Sequence, residues 1–134
     1  MKIPSSSRKI LVIDDEEIIR EVLGEFLKLL DFEIENARDG VAGLAALEKN
    51  EYRAAFADVQ MPKLDGIGFL RKSRRLRPDL PVVIMTGQAG EEIKKEALEA
   101  GAFAYLRKPF HYHEIRALLR RLVGRAKVSL SAEL

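Results

Sequence analysis

Four stretches of this sequence carry an apolar run up to a residue able to do polar chemistry. Lys9-Ile10-Leu11-Val12-Ile13 stops on Asp14-Asp15, and Ala54-Ala55-Phe56-Ala57 stops on Asp58. Val82-Val83-Ile84-Met85 ends on Thr86, and Phe103-Ala104-Tyr105-Leu106 runs into Arg107-Lys108. An apolar run bounded by turn residues is the pattern of a strand covered on both faces, so each polar residue sits at a strand tip. In open α/β sheets the crevice that binds ligands lies outside those carboxyl ends. Three carboxylates, a hydroxyl and an ammonium therefore converge on one rim. Carboxylates so gathered raise one another's affinity for protons, and a divalent cation relieves the repulsion. The chain has no Cys, and neither of its two His falls at a strand end. An oxygen-only donor set suits Mg2+ or Mn2+ rather than zinc. Such an ion keeps positions open for phosphate oxygens, which points to phosphoryl chemistry. Asp58 is then the nucleophile, giving an acyl phosphate, with Lys108 neutralising the group's oxygens and Thr86 donating a hydrogen bond to one of them.

The elements that must position these residues alternate along the chain. After the first strand, Glu16 to Leu30 sets Ile18, Ile19, Val22, Leu23, Phe26, Leu27 and Leu30 on one helical stripe, with acids in the first turn. Phe32, Ile34 and Ala37 mark a second strand, and Asp39-Gly40 opens a helix carrying Val41, Leu44 and Leu47. Between Asp58 and the fourth strand, Gly66 to Leu76 predicts a helix with Ile67, Leu70 and Ser73 inward and Arg71, Lys72, Arg74 and Arg75 outward. A fourth helix covers Glu91 to Ala100 and stops at Gly101, and a fifth covers His113 to Val123. Five strands alternating with five helices make an α/β domain of three layers, a doubly wound sheet. Residues 1–8 read as a flexible leader, 9–123 as the domain, and 124–134 as a tail or the start of a linker.

With these residues in place, the sequence resembles the receiver domain of two-component response regulators. The likeness rests on Asp14-Asp15, Asp58 with Met61-Pro62 and Asp65-Gly66, Thr86-Gly87, and Tyr105 with Lys108-Pro109-Phe110, in order over residues 9–123. It implies a flavodoxin-like five-stranded parallel sheet of order 2-1-3-4-5. It implies Asp58 as phosphoacceptor, with Mg2+ held by Asp15, Asp58 and the backbone carbonyl of Gln60, and Asp14 acting indirectly or through water. Lys108 pairs with the phosphoryl group in this reading, and the Lys108–Pro109 bond is cis. Thr86 and Tyr105 form the switch pair that alters the surface of the fourth helix, fifth strand and fifth helix. Gln60 and Gln88 fall where the family tunes phosphoryl lifetime, and Gly87 makes the loop after it easy to move. The implied partner is a sensor histidine kinase or histidine phosphotransfer protein, and a homodimer through the same surface is allowed. The domain catalyses only its own phosphorylation and slow dephosphorylation and is not otherwise an enzyme.

The rest of the sequence narrows the alternatives. A formal charge of +2 is too near balance to argue for nucleic acid, and no apolar run is long enough to span a bilayer. Without Cys and without an apolar segment near Met1, a cytoplasmic location is expected. The basic run Arg71–Arg77 reads as a solvated helix face, the arginines Arg116, Arg120 and Arg121 as a solvated face or part of a dimer or partner surface, and His111 and His113 as exposed. A phosphatase of the haloacid-dehalogenase type needs a second Asp two positions after its nucleophile, where this chain has Gln60. A flavodoxin-like cofactor carrier would meet Asp14-Asp15-Glu16-Glu17 instead of a phosphate cradle. A scaffold without phosphoryl chemistry would be expected to have lost a key position, and none is lost.

Overall fold

The computed structural model describes residues 8–87 and 90–126, without the side chains of the last three. The leader up to residue 7, most of the tail, Gln88, and the body of the loop after Gly87 lie outside the described residues. The elements run β1 (Lys9–Ile13), α1 (Glu17–Leu29), β2 (Glu33–Ala37), α2 (Gly40–Lys49), β3 (Ala54–Asp58), α3 (Gly66–Leu76), β4 (Val82–Thr86), α4 (Glu91–Glu99), β5 (Ala104–Arg107) and α5 (Tyr112–Ala126). The strands form one sheet of order β2-β1-β3-β4-β5, and every pairing is parallel.

Alternation along the strands builds two cores. Ile10, Val12, Phe56, Val83, Met85 and Leu106 face α1 and α5, while Leu11, Ile13, Ala57, Val82 and Ile84 face α2, α3 and α4. Because β3 and β4 are buried along their whole length, they read as unbroken apolar runs with no polar face.

Several local expectations shift. The apolar stripe of α1 is wider than its contact: Leu23, Leu27 and Leu30 are buried, but Ile18 is 62% and Val22 37% exposed. Gly24 lets the helix approach the sheet until a Cβ there would meet Ile34 at 2.9 Å, so the contact is centred on Leu23, Gly24 and Leu27. On α3, Phe69 joins Ile67, Leu70 and Ser73 on the buried side. β5 begins at Ala104, one residue later than expected, leaving Phe103 half-buried under the Arg121 guanidinium. α5 continues to Ala126, past the expected boundary at Val123.

The loop from β3 to α3 is shaped by Asp65 and Gly66. Asp65 caps α3 by accepting the Gly68 N–H at 2.7 Å, and the Gly66 N–H donates to the Val59 carbonyl at 3.1 Å. A Cβ on Gly66 would lie 2.3 Å from the carbonyl oxygen of Asp58, a backbone atom that cannot swing away. Gly87, by contrast, has nothing within 4 Å of such an atom. Gly66→Ala is therefore expected to cost about 1–3 kcal/mol of stability through forced overpacking, with Gly87→Ala close to neutral. Urea unfolding checks this: equal midpoints for the two variants would contradict the close approach.

Candidate functional site

Parallel register brings the strand tips together. Asp14 follows β1, and its N–H donates to the Ala37 carbonyl at 3.1 Å. Asp58 closes β3, Thr86 closes β4, and Lys108 follows β5 with its N–H donating to the Thr86 carbonyl at 2.8 Å. The Lys108–Pro109 peptide is cis, as the family resemblance implies. Asp14, Asp58 and Thr86 are buried and Asp15 is exposed, so the rim has a closed inner wall and an open lip.

The lysine is the hub. Its Nζ lies 2.9 Å from Asp14 Oδ2, 3.1 Å from Asp58 Oδ1 and 3.1 Å from Glu16 Oε1. Burial pushes the Asp58 carboxyl up to about 6, with the neighbouring Asp14 charge adding to the rise and Lys108 opposing it. Burial also raises Asp14, against the lowering effect of the Glu16 N–H donated to it and of Lys108. For Lys108 itself burial works against the charge, but the contacts with Asp14 and Glu16 outweigh it and hold the ammonium well above the ordinary lysine range.

These residues fit a divalent cation. Ligand oxygens of Asp14, Asp15 and Asp58 all lie within 4.8 Å of one another. Asp14 Oδ2, wholly buried, is close to the ammonium yet has no partner in hydrogen-bonding geometry, so it retains capacity for an ion or its water. Three acids facing one lysine also leave negative charge uncompensated. Gln60 is exposed and borders, with Asp15, Met61 and Asp65, a depression beside the acids. Tyr105 is half-buried, two positions before the tip of β5 and paired with Ile84, against the core that faces α2, α3 and α4.

Reading strand ends leaves out two residues of the site. By sequence Glu16 is only an acid at a helix start, and nothing singles out Arg20. In the fold, Glu16 reaches Lys108 across the rim, and Arg20 Nη1 donates to the Asp14 carbonyl at 2.7 Å. The four-residue spacing of Glu16 and Arg20 places them one helical turn apart, the only sequence signal that they share a surface.

The comparison with known proteins decides what this arrangement belongs to. The family model for the response regulator receiver domain matches residues 10–120. The chain belongs to the response regulator receiver family. Among curated relatives of this receiver domain, Response regulator MprA of Mycobacterium bovis is 37% identical over 127 residues, 95% of this chain and 55% of the relative. The chain thus spans about half the length of the curated relatives it matches. A response regulator receiver domain protein from Clostridium thermocellum superposes with a TM-score of 0.83 at 32% identity, covering 89% of this chain and 96% of that one. The receiver domain of a sensor histidine kinase from Pseudomonas aeruginosa, described with a magnesium ion coordinated in its active site cleft, gives 0.80 at 28% identity, covering 87% and 97%.

The raised Asp58 carboxyl has a consequence for the metal-free receiver domain. A carboxyl near 6 in the fold and 3.8 when unfolded binds its proton more tightly in the fold. The stabilising effect of that proton is complete below about pH 4 and is lost as pH rises through about 6. A shift of this size corresponds to at most roughly 3 kcal/mol. Asp58→Asn should therefore match the parent near pH 4 and exceed it in unfolding free energy above pH 6, by about 1–3 kcal/mol in EDTA, with a correspondingly higher thermal midpoint. Parallel melting curves across that range would contradict the electrostatic account.

Proposed function

We propose that this receiver domain accepts a phosphoryl group on Asp58 from a sensor histidine kinase or histidine phosphotransfer protein, in a reaction dependent on Mg2+ or Mn2+. The observation that carries the reading is the Lys108 ammonium 3.1 Å from Asp58 Oδ1, at a rim where Asp14 and Asp15 supply further carboxylate oxygens. A carboxylate oxygen of Asp58 forms the new P–O bond as the donor's P–N bond breaks, and the electron pair leaves with the imidazole. Asp15, Asp58 and the carbonyl of Gln60 would hold the metal, with Asp14 helping indirectly or through water. Bound there, the ion supplies charge stabilisation for the phosphoryl oxygens. Lys108 binds one such oxygen and Thr86 donates its hydroxyl to another.

Thr86 and Tyr105 then act as the switch. The Thr86 hydroxyl moves toward the new anion and the Tyr105 ring turns inward, altering the surface of α4, β5 and α5. A change from mostly inactive to mostly active needs about 5.5 kcal/mol of preference, within reach of a few charge-assisted hydrogen bonds. That surface, where Leu98 is 46% exposed beside Lys94 and Lys95, is where a downstream target or a second copy docks. The domain works on itself alone, and hydrolysis of its acyl phosphate ends the signal. Among the described residues no helix is long and apolar enough to cross a membrane, which is compatible with work in the cytoplasm.

Incubation with Mg2+ and acetyl phosphate should add one phosphoryl group by intact mass, removable with hydroxylamine. Asp58→Asn should take up none; labelling equal to the parent would move the nucleophile elsewhere. Asp15→Ala should weaken Mg2+ binding about tenfold or more, about 1.4 kcal/mol, in a calorimetric titration. Lys108→Ala should keep most of the metal affinity yet lose the phosphorylation-linked change in α4 and β5 amide resonances. A variant that shifts those resonances as the parent does would remove Lys108 from the mechanism.

A further inference from the structure

Lys108 has one acid more than the strand tips supply. An ammonium carries three N–H donors and no acceptor. Three carboxylate oxygens already lie within 3.1 Å of it, from Asp14, Asp58 and Glu16, and the one from Glu16 accepts a hydrogen bond, so another anion meets an ammonium already surrounded. The three are not equivalent. The Asp14 and Asp58 side chains are 0% and 7% exposed and fixed to the ends of β1 and β3, whereas Glu16 is 57% exposed. Glu16 occupies the position before α1, yet its side chain makes no cap hydrogen bond to that helix. Its own N–H donates to Asp14 Oδ1 at 2.9 Å, and its carboxylate turns to Lys108, 92 positions along the chain, at 3.1 Å. Arg20, one turn along α1, is engaged with the Asp14 carbonyl. An exposed carboxylate regains water when released, so it is the partner given up at least cost.

We propose that Glu16 is a positioning residue whose carboxylate occupies the Lys108 donor later taken by a phosphoryl oxygen, so that phosphorylation exchanges one anion for the other. This rests on the phospho-acceptor reading of Asp58. The exchange makes capture of the phosphoryl group less favourable than it would be beside a lysine with a free donor. It also detaches the start of α1 from the end of β5 in the phosphorylated form only.

Calorimetric titration with beryllofluoride, a phosphoryl mimic, in saturating Mg2+ tests the exchange on the parent, Glu16→Gln and Glu16→Asp. Aspartate keeps the charge but is too short to span to Lys108, and at that position it can cap α1 instead. Both variants should bind the mimic roughly two- to fivefold more tightly, the competition of one exposed ion pair having been removed. Mg2+ affinity should change less than the affinity for the mimic, and the thermal midpoint should not fall. Tighter binding in Glu16→Gln alone would assign the effect to the general field of the charge and overturn the contact. No tightening in either variant would overturn the proposal outright. Failure of the parent itself to take up the mimic would instead remove the phospho-acceptor reading beneath it, an outcome separable from the other two.

Discussion

Carboxylates held side by side in a buried place repel one another, and most of this structure serves to keep them there. Asp14 and Asp58 stand on β1 and β3, adjacent strands of a parallel sheet, so their separation is set by the strand pairing and not by side-chain choice. Neither can retreat into water, because β1 and β3 are covered on both faces by separate cores. Among the described residues, the cation that reaches both acids comes from beyond β4, carried by a residue whose own N–H is tied to the Thr86 carbonyl. One ammonium against two buried acids and the exposed Asp15 leaves the rim short of positive charge. A divalent cation fits that deficit better than a further lysine would, because it can be shared among oxygens and still leave positions open.

The same arrangement sets the limits of the fold. A rim that lifts a carboxyl to about 6 stores unfavourable energy at neutral pH, so its stability has to come from elsewhere in the molecule. β3 and β4 contribute unbroken apolar burial, and the helix caps of Asp39 and Asp65 are both satisfied by hydrogen bonds. Gly66 has a different task. It brings the start of α3 against the Asp58 carbonyl, holding the tip of β3 from behind while leaving its side chain free to face the rim.

Much of this is legible in the sequence, for a definite reason. A strand buried on both faces must be apolar until it ends, so the first polar residue after it marks the tip: three tips name Asp14, Asp58 and Thr86, and the fourth gives Arg107 with Lys108 directly behind it. Parallel topology then obliges them to meet. Features that depend on a long side chain's direction are not legible: nothing in the order of residues tells Glu16 to turn from its helix toward Lys108. Periodicity likewise gives the width of an apolar stripe but not where its contact is centred. It therefore assigns Ile18 and Val22 to the α1 core, whereas the contact is centred on Leu23, Gly24 and Leu27 and leaves them exposed. The one-residue shift of β5 has the same origin, since Phe103 is as apolar as the strand it precedes and only its place beneath Arg121 distinguishes it.

The unequal anchoring of the helices indicates where a change at the rim could be expressed. α3 buries Gly66, Ile67, Phe69, Leu70 and Ser73, and α1 buries Leu23, Gly24 and Leu27, whereas α4 buries Ala97 alone. Local opening is cheapest where few apolar contacts must be broken. β4 itself is too deeply packed to move far, so a displacement at Thr86 is resisted along the strand. The neighbouring edge strand is less enclosed, with Tyr105 half-buried and Arg107 exposed. Edge strand β5 is paired on one side only, to β4, and it carries both Tyr105 and, just past its end, Lys108. The lysine that contacts the rim acids and the tyrosine on the outer flank are thus both carried by one short edge strand and its end, beside the helix that buries least.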